Sequence, residues 1–162
     1  MNRAIRPLAA LLAIMTAGMA TDARALMGWE SLARPKTMNV AVWVEGIEID
    51  SAELGLIRNC ARTMVESRLR GAGIEVPADS DAYLDVNIRV GTRNHSYWAE
   101  VFLKLMQPEL PEDSASASYV STWEKQTLGM ASTSDLPGLV KAVLDQGMDG
   151  FIKNWPATIS GD

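Results

Sequence analysis

From Met38 to Val44 the β-branched residues Val40, Val42 and Val44 alternate with Ala41 and Trp43, a period of two that predicts a strand. Asp50-Ser51-Ala52-Glu53 follows, a capping residue with a Glu three places on, the pattern that satisfies free backbone N–H groups at a helix start. The helix it opens carries Leu54, Ile57, Ala61, Met64 and Val65 as an apolar stripe, with Arg58, Arg62, Glu66 and Arg70 outside it. Gly71 and Gly73 end it by allowing positive φ at the C-terminal turn.

Gly73 to Val76 reads as a short strand and Pro77 to Asp81 as a polar turn. In the next segment Leu84, Val86, Ile88 and Val90 alternate with Asp85, Asn87 and Arg89, which predicts a strand with one buried and one wet face. After a loop from Gly91 to Ser96, the segment from Tyr97 to Gln107 has Ala99, Val101, Leu103 and Leu105 as its inner row. Its outer row is Trp98, Glu100, Phe102, Lys104 and Met106. An acidic, Pro- and Ser-containing loop from Pro108 to Ser118 leads to a last strand, Tyr119 to Leu128; the Gly91 to Ser96 turn and this longer loop make three successive antiparallel strands the economical connection.

Ser134 or Asp135 caps a second helix with Pro137 in its first turn, where a missing N–H costs nothing. Leu136, Val140, Val143, Leu144, Gly147 and Phe151 share one of its faces, and Trp155-Pro156 closes it. The predicted fold is α+β, with two helices on one face of a mixed, mainly antiparallel sheet of four or five strands, in the order β-α-β-β-β-β-α. Residues 38–156 make one domain, followed by a tail at 157–162. About 137 residues remain beyond the N-terminal segment described next, enough for one core, and no linker or repeat divides them.

The N-terminus has a different pattern. Arg3 and Arg6, the apolar run Leu8 to Ala20 and then Ala23-Arg24-Ala25 spell a secretory signal peptide, cleaved after Ala25. The apolar run is only about thirteen residues, against about 20 needed to span a bilayer as a helix, which argues against a membrane anchor. Cys60 is the one cysteine and lies far from the cleavage point, so no lipoprotein signal is expected. The expected destination is the periplasm or the exterior. Residues 26–37, with Trp29, Leu32 and Pro35, read as a leader segment with no sustained period.

The words of several segments, Arg68-Leu69-Arg70-Gly71-Ala72-Gly73-Ile74, Tyr83-Leu84-Asp85-Val86-Asn87-Ile88, Val101 to Gln107, Thr122-Trp123, Asp149-Gly150-Phe151 and Trp155, resemble a family of small, exported, functionally uncharacterised bacterial α/β proteins. The resemblance spans about residues 38 to 155. Its motifs are structural, so it implies a fold and lends no activity. In architecture it is similar to the small α/β modules of envelope assembly factors, an analogy that cannot carry function by itself.

Charge narrows the partners. Cleavage removes Arg3, Arg6, Arg24 and Asp22, which takes the formal charge from −5 to −7. An acidic surface repels nucleic acid phosphates and anionic headgroups, so neither is expected as a partner. A lone cysteine forms no internal disulfide, and Cys60, at the edge of the helix stripe, reads as a small buried hydrophobe.

Chemistry-bearing patterns are sparse. His95 is the one histidine, so a site with two or three imidazoles is excluded within one chain, and any Ser-His-Asp arrangement would have to use it. Its setting between Asn94 and Ser96 is that of a solvated turn. The acidic groups Asp79, Asp81 and Asp85, and Glu109, Glu112 and Asp113, lack the spacing and central glycine of a calcium loop and read as solvated loops. No metal or cofactor is expected. Asn94-His95-Ser96 fits a glycosylation acceptor, a pattern of little specificity.

The outward aromatics stand out. If Val101, Leu103 and Leu105 face the helices, then Trp98, Phe102 and Met106 face away, and Trp123 on the following strand is expected to join them. Large apolar groups on an uncovered sheet face mark a partner surface, unless the leader or the 108–118 loop folds over it. The sequence therefore predicts a non-enzymatic interaction module that binds a protein or its own copy through Trp98, Phe102, Met106 and Trp123. A binding protein for a small apolar or amphipathic ligand held between sheet and helices is the alternative, and a hydrolase the third.

Overall fold

A computed structural model describes residues 35–109, 118–132 and 135–155. The expected signal peptide, most of the expected leader, the 110–117 part of the acidic loop, Ser134, Pro156 and the C-terminal tail lie outside them. The described chain runs β1 (Asn39–Ile47), α1 (Ser51–Gly71), β2 (Tyr83–Arg93), β3 (Ser96–Glu109), β4 (Ser118–Ala131) and α2 (Leu136–Asn154). It is an α+β fold with a four-stranded mixed sheet in the spatial order β1-β2-β3-β4.

β1 lies parallel to β2, Val40 beside Leu84 and Val44 beside Ile88, and α1 makes the crossover that a parallel pair requires. β2, β3 and β4 then form an antiparallel meander. Arg93 pairs with Ser96 across a two-residue turn whose central residues, Asn94 and His95, have φ of 51° and 62°. Positive φ at both positions is the geometry whose twist matches that of the flanking strands. The strand expected at Gly73–Val76 does not form. Only one bridge does, Thr37 to Glu75, with Met38 N donating to Glu75 O at 3.0 Å. This segment instead completes the end of α1. Gly73, at φ 79°, donates to Arg70 O, and Ile74 N to Leu69 O, so the last carbonyls of the helix are satisfied and Leu69 and Ile74 are both buried.

Both helices cover one face of the sheet. α1 packs on β1, and α2 on β3 and β4. Each strand sends alternate residues inward: Val40, Val42 and Val44, then Leu84, Val86, Ile88 and Val90, then Ala99, Val101, Leu103 and Leu105, all buried. The helices meet them with Ile57, Ala61, Val65 and Leu69, and with Val140, Leu144, Met148 and Phe151. Each Val, Leu, Ile, Met or Phe among them contributes roughly 1.5 to 3 kcal/mol by leaving water. The caps are as the sequence implies. Asp50 accepts from Ala52 N at 2.6 Å, and Asp135 from Gly138 N at 2.9 Å with Pro137 in the first turn.

Two expectations fail on helical and strand parity. Cys60 is exposed, because the buried row of α1 is the four-residue series Ile57, Ala61, Val65 and Leu69, and Cys60 stands one position round from it. Trp123 does not face outward. It pairs with Leu105, an inward residue, and packs its ring edge-on against Phe151 of α2 with centroids 4.9 Å apart. The inner row of β4 is thus Trp123, Lys125, Thr127 and Gly129, where small residues let α2 approach. A Cβ at Gly129 would collide with the Val143 side chain. Thr127 is buried and donates to Val143 O at 3.2 Å, tying strand to helix.

Candidate functional site

Neither helix covers the opposite face of the sheet. The strand register arranges its side chains in rows across the four strands. One row is Ala41, Asp85, Lys104 and Glu124. The next is Trp43, Asn87, Phe102 and Gln126, followed by Glu45, Arg89, Glu100 and Leu128, and then by Ile47, Gly91, Trp98 and Met130. Aromatic and aliphatic rows therefore alternate with charged ones across the width of the sheet.

Trp98, Phe102 and Met106 lie on this face and are half-buried, as expected for the outer row of β3. Trp98 owes its burial to Gly91. The indole lies over the glycine so closely that a Cβ there would come within 2.7 Å of Cζ2, and Gly91 itself is buried as a result. Phe102 sits under the Arg89 guanidinium, whose Cζ is 5.7 Å from the ring centroid, a cation–π contact that holds Arg89 across the face. Arg89 also reaches Glu45 at 3.6 Å, and Gln126 donates to Glu100 at 2.5 Å. Met106 follows the register shift between Leu105 and Met106, beside Tyr83, whose ring meets Tyr119 edge-on at 5.3 Å.

The structure adds residues that the sequence reading left out. Trp43 on β1 is 59% exposed, Leu128 50% and Met130 54%, the last two on β4. With Phe102 and Trp98 between them, they extend the apolar area from one edge strand to the other. The signal for Trp43 lay in the alternation of Val40, Val42 and Val44, which puts it on the opposite face. No such signal marks Leu128 and Met130, because β4 has small and polar residues inward and large apolar ones outward. These residues take the place of Trp123 in the candidate surface.

In the middle of the face, Asn87 Oδ1 is buried and takes no hydrogen bond among the described residues. Its neighbours across the strands are Trp43 and Phe102.

His95 is exposed at the tip of the β2–β3 turn. Among the described residues no three His, Cys, Asp or Glu side chains gather as a metal site. The layer between sheet and helices is occupied by core side chains such as Leu84, Leu103, Leu144 and Met148. Among the described residues no helix is long and apolar enough to cross a membrane.

No protein-family model matches the chain, and no curated protein does. Among solved structures it is similar to the N-terminal domain of Protein Y from Thermus thermophilus, at 16% identity and a TM-score of 0.35, over 74% of this chain and 100% of that one.

Proposed function

We propose that this chain is an exported interaction module of the bacterial envelope, one that binds a protein through the outer face of its sheet rather than catalysing a reaction. One observation carries the reading. Trp43, Phe102, Trp98, Leu128 and Met130 are spread over a face that neither helix covers, interleaved with charged residues. Aromatic and Met side chains between charged residues are the composition of protein interfaces, where a few buried aromatics supply most of the binding energy. The N-terminal signal pattern of Arg3, Arg6, Leu8 to Ala20 and Ala23-Arg24-Ala25 supports an extracytoplasmic site of action.

Recovery of envelope proteins on the immobilised chain, compared with the Trp43→Ala/Phe102→Ala variant, tests this. A specific protein retained by the native chain and lost by the variant is expected. Equal recovery by both, with the variant folded by circular dichroism, would remove the outer face from the binding reading.

A further inference from the structure

On the two central strands, the charges that flank Asn87 and Phe102 have a two-fold relation to one another. On β2, Asp85 stands one row to one side of Asn87 and Arg89 one row to the other. On β3, Lys104 and Glu100 flank Phe102 in the same way. The row of Asp85 and Lys104 thus reads minus, plus, and the row of Arg89 and Glu100 reads plus, minus. A half-turn about an axis that lies in the face and crosses the strands at the level of Asn87 and Phe102 exchanges the two rows while keeping each strand over its own copy. Each of these four charges then meets its opposite: Asp85 faces Arg89 of the second copy, and Lys104 faces Glu100.

We propose that the outer sheet face packs on the same face of a second copy of this chain, in an isologous dimer about that axis; the proposal rests on the reading of the face as a protein-binding surface. The same operation treats the apolar groups consistently. Phe102 meets Phe102 on the axis, and Met106 meets Trp98 of the other copy.

Sheets packed face to face cross at about 30°, which shifts residues one row from the axis by only about 3 to 4 Å, within the reach of Arg and Lys side chains. The area also suffices. Four strands about 4.8 Å apart and rows from Tyr83 to Gly91 give a flat footprint of roughly 19 by 30 Å per copy, or about 1,100 Å² for two before the relief of the side chains is counted. Stable interfaces start at about 1,200 Å² of accessible surface, which a side-chain-covered face of this size provides.

The decisive experiment is sedimentation velocity of the purified chain over a micromolar range, with charge swaps. The native chain is expected to dimerise. Asp85→Lys alone and Arg89→Asp alone should each weaken the dimer by about tenfold or more, since each sets like charges against each other at both symmetry-related contacts. The double variant Asp85→Lys/Arg89→Asp should restore it, because the introduced lysine would then face the introduced aspartate of the other copy. Residues 85 and 89 are two rows apart within a chain, and in the monomer the double variant puts a lysine beside Lys104 and an aspartate beside Glu100, so no intrachain effect predicts rescue. If either single variant unfolds, Glu100→Lys alone and Lys104→Glu alone, each expected to weaken the dimer, with their double swap expected to restore it, ask the same question on β3. A native chain that stays monomeric, or a dimer unmoved by the single reversals, overturns self-pairing. If the monomer still retains an envelope protein through Trp43 and Phe102, the protein-binding reading survives that result; if it retains none, both fall.

Discussion

The ring of Trp123 stands edge-on to that of Phe151, with centroids 4.9 Å apart, and Trp155 tilts against Phe151 in turn at 5.3 Å. This aromatic chain runs from β4 through α2 to the end of that helix, so it anchors α2 to the edge of the sheet. Trp123 is half-buried, so Trp123→Ala should cost about 1.5 to 3 kcal/mol, less than emptying a fully buried aromatic. Urea unfolding followed by circular dichroism measures it. Trp43→Ala, by contrast, removes a ring that is mostly in solvent and should change stability by less than about 1 kcal/mol. Equal losses for the two would contradict their assignment to opposite faces.

That contrast also shows what the sequence made legible. The alternation in β1, β2 and β3 is strong because nearly every inward position carries Val, Leu or Ile, and the faces of all three strands follow from it. β4 lacks this contrast. Its inner positions hold Lys125, Thr127 and Gly129 because α2 comes close there, while Leu128 and Met130 point outward. Period alone then assigns Trp123 to the wrong side. The segment Gly73-Ile74-Glu75-Val76 departs from expectation for a different reason: it has strand-like residues but is taken up by the C-terminal turn of α1, leaving one bridge from Glu75 to Thr37. The candidate surface was half legible, through Trp98, Phe102 and Met106, and its other half depended on which neighbours the register supplies.

The buried hydroxyl of Thr127 fills a small position that must also be polar-satisfied, with Val143 O at 3.2 Å and Val101 O at 3.5 Å. Thr127→Val keeps the volume and removes the donor, and should cost about 1 kcal/mol. Chemical denaturation at constant slope checks it. A variant as stable as the native chain would mean that the hydroxyl contributes no net hydrogen bond.

Cys60 stands on the solvent side of α1. Its thiol should react with a maleimide in the folded protein without denaturant, at a rate close to that of the unfolded chain. Mass spectrometry of the labelled protein reads this directly, and protection by a large factor would place Cys60 back in the core.

The β2–β3 turn holds two residues with side chains at positive φ, His95 at 62° after Asn94 at 51°. Asn accepts this conformation readily, whereas His at the second position carries steric strain that glycine lacks. Replacing His95 with Gly gives Asn-Gly, the dipeptide best suited to this turn, although glycine also raises the entropy of the unfolded chain. The relief of strain should exceed that entropy, so His95→Gly is expected to stabilise the protein by about 0.5 to 1 kcal/mol. A rise in the urea midpoint with unchanged slope would show it. A fall would mean that the His95 side chain makes a contribution at the turn larger than the strain it bears, and the turn would then have to be considered more than a connection between β2 and β3.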